Sequence, residues 1–151
     1  MPRIRSIKPK FWDDAKLGKV SRDVRLLFIG TWTFADDLGV IISDPVWLKS
    51  KIFPYDKLDA GELEKWIDDL VTNKFVIPIS YRNENFFVIR NFDKHQRINK
   101  PNNDDIFIDN EQVKKLLEQS RNNHGIITER SVIDIESITG GEDRIGEDRI
   151  G

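Results

Sequence analysis

The chain contains no cysteine, a single methionine and only two histidines in 151 residues. Without thiols there is neither a disulfide nor a thiolate zinc site, which fits a cytoplasmic setting. No apolar run approaches the roughly 18 residues that span a bilayer, and the start lacks a signal-peptide core. A soluble protein without membrane contact is expected. Net charge is nearly absent too, since 24 Lys and Arg against 26 Asp and Glu leave −2. That balance excludes a protein coating nucleic acid with uniform positive charge, but leaves room for a local basic patch. Also missing are a glycine-rich phosphate loop, a Ser-His-Asp order and a histidine-rich metal spacing. Four aspartate pairs, at 13-14, 36-37, 68-69 and 104-105, invite a metal. Adjacent helical residues diverge by about 100°, however, so such a pair does not make a two-carboxylate site. His95, beside Lys94 and Arg97, is the one candidate general base, and a polar contact in a basic loop accounts for it equally. The chain reads as non-enzymatic, with no catalytic residue, metal or cofactor.

What is present is core-forming material. Hydrophobic residues make up 38% and aromatics 10%, including four Trp and nine Phe, enough for one modest domain and a tail. The strongest local pattern runs from Asp59 to Ile89. Asp59 and Glu62 have the capping-box spacing, and Leu63, Trp66, Ile67, Leu70 and Val71 recur at the interval of one buried helical face. After Asn73 and Lys74 the composition turns β-rich from Phe75 to Tyr81. Arg82 to Asn85 are turn formers, and Phe86 to Ile89 are β-rich again.

Upstream, Ser21 is placed to cap a helix over 22–35 that is apolar nearly all round, hence central. Gly30 inside it implies a close neighbour, and Gly39 a left-handed turn before a strand at Val40 to Ile42. Asp44-Pro45 opens a short helix to Ile52, ended by Phe53-Pro54-Tyr55-Asp56. The expected class is α+β, with the order helix, strand, helix, helix, strand, wing, strand: a winged helix-turn-helix. The organisation read from these signals is a basic N-terminal arm over 1–10, the winged-helix domain over 11–105 and a short helix over 106–121. An acidic tail over 122–151 follows, in which Gly-Glu-Asp-Arg-Ile occurs twice from Gly141; such low-complexity sequence favours disorder. The arm is read as docking through Phe11 and Trp12. The helix near the end carries a narrow apolar stripe of Val113, Leu116 and Leu117, suited to packing on the domain edge or meeting a partner.

Charge then decides which surface meets nucleic acid. On the third helix the non-core positions include Glu62, Glu64, Lys65, Asp68 and Asp69, a face that phosphates repel. Contact with DNA is therefore expected from Arg3, Arg5, Lys8 and Lys10 of the arm, Arg82 of the wing, and Arg90, Lys94, His95, Arg97 and Lys100 after it. The alternative is a protein-interaction module that presents Glu62, Lys65, Asp68 and Asp69 to a basic partner or to a second copy of itself, without direct DNA binding.

Four stretches resemble one family: Pro2 to Trp12; Arg25 to Gly30 with Ala35-Asp36-Asp37; Ile52-Phe53-Pro54-Tyr55; and Phe92 to Pro101. Together they are similar to the N-terminal winged-helix domains of phage and prophage replication-initiation proteins and DnaD-type primosome components. The resemblance covers about residues 1–105. It implies a part in phage DNA replication, with DNA of low sequence specificity and replisome or helicase-loading proteins as partners.

Overall fold

The computed structural model describes residues 2–96 and 105–124, apart from the side chains of Lys94, His95 and residues 122–124. Arg97, Lys100 and the repeat-bearing tail lie outside the described residues. Two short 3-10 turns, Pro9–Asp13 and Leu17–Lys19, lead into α1 (Arg22–Phe34), β1 (Val40–Ile42), α2 (Pro45–Ile52) and α3 (Ala60–Thr72). The hairpin β2 (Val76–Tyr81) and β3 (Glu84–Ile89) follows, then α4 (Phe92–His95) and α5 (Asn110–His124). The strands form an antiparallel sheet in the order β1-β3-β2. This is the winged helix-turn-helix order expected from the sequence, in an α+β fold. No helix among the described residues is long and apolar enough to cross a membrane.

Local chemistry sets the element boundaries. Ser21 Oγ accepts from Val24 N at 3.2 Å, Asp44 Oδ1 from Val46 N at 3.1 Å and Asp59 Oδ1 from Glu62 N at 2.7 Å. Each side chain thereby satisfies a backbone donor that the first helical turn leaves unpaired. At the other end of α3, Phe75 N donates to Leu70 O and Lys74 N to Val71 O, with Lys74 at φ +65°. That pairing is a Schellman ending, built here on lysine rather than glycine. The wing is tighter than the four-residue turn expected: Tyr81 already pairs with Glu84, leaving Arg82 and Asn83 as a two-residue loop. Both have positive φ, +52° and +65°, the backbone that a right-twisted hairpin requires.

Strand alternation sends side chains to two cores. Ile41, Val76, Phe87 and Ile89 face α1, α2 and α3, where Phe28, Trp32, Leu48, Leu63 and Leu70 fill the centre. Val40, Ile77, Ile79, Phe86 and Val88 point the other way and are covered by Ile108, Val113 and Leu117. The helix over 110–124 thus seals the outer face of the sheet rather than forming a separate appendage. Gly30 lets α2 approach α1, since a Cβ there would lie 2.7 Å from Ile52 Cγ2. Of the two aromatics expected to dock the arm, only Phe11 is buried, edge-on to Trp32 at 5.5 Å. Trp12 stays 71% exposed and packs edge-on to Phe11, because successive side chains on a helical turn diverge and only one reaches the core.

Asp36 ties the two cores together. Its Oδ1 accepts from Leu38 N at 2.9 Å and Val40 N at 3.0 Å, and its Oδ2 from Phe107 N at 3.0 Å. Burial raises this carboxyl above its ordinary value of 3.8; the three N–H donors pull it back down, and neighbouring Asp37 adds a smaller upward push. Below pH 3.8 both folded and unfolded chains hold the proton, so this group adds no slope. As pH rises from 3.8 through the raised folded value, the unfolded chain ionises more easily and stability falls. Asp36→Ala should remove that slope and lower the unfolding free energy by on the order of 3 kcal/mol, because N–H groups lose their acceptors. Urea unfolding across acid pH measures both effects.

Candidate nucleic-acid interface

The arm does not leave the domain. Arg3 N donates to Thr33 O at 2.9 Å, laying the extended chain against the end of α1. Arg5 reaches further in: Nε donates to Trp32 O at 2.9 Å, and Nη2 to Ala35 O at 3.0 Å. These carbonyls belong to the last turn and C-cap of α1, where a helix lacks internal donors and favours positive charge. Asp37 Oδ1 lies 3.1 Å from Arg5 Nη2 and 3.3 Å from Arg3 Nε. The Arg5 and Asp37 side chains are only 7% and 4% exposed. The Arg5 guanidinium also stands over the Phe92 ring, 5.0 Å from its centroid. One residue on, Ser6 N donates to Gln96 Oε1 at 2.9 Å while Gln96 Nε2 donates to Ser6 O at 2.7 Å.

This geometry redistributes the expected contact residues. Arg5 is committed to the interior, and Arg3 is shared between Asp37 and Asp105. Arg90 is half-buried and donates through Nη1 to Lys74 O at 2.8 Å, closing the link between α3 and β2. Lys8 and Lys10 remain exposed at the first 3-10 turn. Arg82 is exposed at the wing tip, stacked over Tyr81 at 5.0 Å. Lys94 and His95 belong to α4, but their side chains, like Arg97 and Lys100, fall outside the described residues. On α3, Glu62, Glu64, Lys65, Asp68 and Asp69 are all exposed, so the acidic face read from the sequence is a surface of the folded domain. Among the described residues no group of three or more His, Cys, Asp or Glu is placed to hold a metal ion.

The turn between α2 and α3 supplies basic groups that sequence reasoning passes over. Tyr55 is 98% exposed at its apex, with exposed Lys51 before it and exposed Lys57 after it. Among the described residues neither lysine has a carboxylate partner. The signal lies in Lys51 to Lys57, but Phe53-Pro54-Tyr55 reads only as a helix breaker. Phe53 is buried against Trp66 at 5.5 Å; it anchors the turn and leaves Tyr55 outside.

Arg5→Lys retains the charge but loses the planar fork that meets two carbonyls and a carboxylate together. Unfolding free energy should fall by about 2–3 kcal/mol, which chemical denaturation measures.

Three separate stretches of the chain, Pro2 to Trp12, Ala35 to Asp37 and Phe92 to Gln96, meet here through Arg5, Asp37, Phe92 and Gln96. Comparison with family models, curated proteins and solved structures found no match, so the fold rests on the coordinates themselves: an α+β winged-helix arrangement with a three-stranded antiparallel sheet.

Proposed function

We propose that this chain is a non-enzymatic DNA-binding accessory protein that grips the phosphate backbone and does not read base edges with its third helix. The observation carrying this reading is the contrast between two neighbouring surfaces of the helix-turn-helix. The α2–α3 turn offers Tyr55 with Lys51 and Lys57 against Asp56, whereas α3 offers Glu62, Glu64, Asp68 and Asp69 against Lys65. Lysines without carboxylate partners attract phosphates, and an exposed aromatic ring offers a face on which a base can stack. Arg82 at the wing tip and Lys10 near the first turn are further exposed cations. Binding of this kind is salt-sensitive and tolerant of sequence. A place in phage or prophage DNA replication follows from the resemblance of the four stretches, and belongs to the proposal with it.

A second reading, supported by the exposed carboxylates of α3, is a protein-interaction module that meets a basic partner, in a primosome or in a second copy of the chain. The two readings part at the salt dependence of DNA affinity. If phosphates are held at the α2–α3 turn, Lys51→Glu with Lys57→Glu should weaken duplex binding at least about tenfold. The slope of log affinity against log salt should become shallower by about 2, at near 0.9 for each phosphate no longer neutralised. Unchanged affinity and slope in the double variant would remove the turn from the interface and leave the partner-binding reading.

A further inference from the structure

We infer that the cleft between α3 and the wing is a docking site for a cationic amphipathic segment of a protein partner; the inference rests on the partner-binding reading of the third helix. The cleft encloses about 570 Å³, within the range of sites that take up several side chains. One wall is a single stripe of α3, Glu64, Ile67, Asp68 and Val71, spaced i, i+3, i+4, i+7. Pro78, Ile79 and Phe86 of the hairpin, with Leu116 from α5, also line the cleft, around the edge of β2. Towards the wing the lining is polar but uncharged, with Ser80 and Asn85. The lining thus mixes apolar side chains with uncharged polar ones, Gln119 and Ser120 of α5 among them, and of all the lining residues only Glu64 and Asp68 carry charge.

That distribution selects the occupant. A nucleic-acid strand entering between helix and wing would bring its phosphates onto two carboxylates that have no ion-pair partner among the described residues. A helix or extended segment with lysines or arginines along one edge and aliphatic side chains along the next would satisfy both walls. Glu64 and Asp68 lie one helical turn apart, roughly 5–6 Å between Cβ atoms, and so match basic residues at the same spacing on a partner helix. Apolar side chains from that partner would cover Ile67, Val71 and Leu116. This is the helix-in-groove mode of recognition, with charge setting its orientation.

The probes are two amphipathic helical peptides of equal length, with Leu at i, i+3, i+4 and i+7 and either Lys or Glu at the remaining positions, titrated into the full chain carrying isotope-labelled methyl groups. The Lys-Leu peptide should shift the methyl resonances of Ile67, Val71, Ile79 and Leu116 saturably, and the Glu-Leu peptide should not. Glu64→Lys with Asp68→Lys should weaken Lys-Leu binding about tenfold or more, whereas Glu62→Lys with Asp69→Lys, on the side of α3 away from the cleft, should change it about twofold at most. All four positions are exposed, and circular dichroism checks that each variant keeps its fold. Equal binding of the two peptides, or an unaffected Glu64/Asp68 variant, overturns the inference. If only the Glu62/Asp69 variant loses binding, the cleft is wrong while the partner-binding reading of α3 stands. If neither peptide binds at all, both fall together.

Discussion

The buried pairing of Arg5 with Asp37 is the interaction on which the rest of the domain closes. A charged pair taken out of water holds only if its remaining hydrogen-bonding capacity is met. Here the backbone meets it: Arg5 donates to the open carbonyls at the end of α1 as well as to Asp37. Arg5 thereby does the work of a C-cap from a distant part of the chain. The same guanidinium lies on Phe92, whose ring also closes over Gly39; a Cβ at that glycine would approach Phe92 Cβ to 2.9 Å. Gly39 sits at φ +84°, so the turn, the ring and the arginine fit only as a set. The N-terminal strand, the turn before β1 and the segment after β3 are held at one junction as a result.

Asp36, the neighbour of that pair, carries the arrangement to the other side of the sheet. Its two oxygens divide their donors between the turn into β1 and the backbone of Phe107. The adjacent aspartates thus serve two layers, Asp37 the helical side and Asp36 the segment that leads into α5. This is a physical reason for an Asp-Asp pair that involves neither metal nor catalysis. Pro2 to Trp12, Ala35 to Asp37 and the segment from Phe92 to Gln96, far apart in sequence, are thereby parts of one joint.

Much of this is legible in the sequence where the determinants are local. Ser21, Asp44 and Asp59 announce the helix starts because a cap acts within three residues of itself. The apolar stripe of α3 follows from its spacing alone. The wing stands where the turn formers put it but is shorter than they suggest: Asn85 instead pairs with Ser80 across the hairpin. The fate of Arg3 and Arg5 is not legible, since Asp37 is remote in sequence from both and a run of cations reads as solvated. The stripe of α5 is visible, but which surface it covers depends on strand alternation much earlier in the chain. The cleft cannot be read either, because its two walls are brought together only by the turn after α3 and the hairpin. The acidity of α3, by contrast, survives folding unchanged, as exposed helical charges do.

The helix over 110–124 has a further consequence through its attachment to the same chain. The outer face of a three-stranded sheet is a surface on which another protein can pack, and here it carries Val40, Ile77, Ile79, Phe86 and Val88 under Val113 and Leu117. The cover is a tethered ligand, held near its site by being part of the same chain. The outer face of the sheet is thus covered by the chain's own helix.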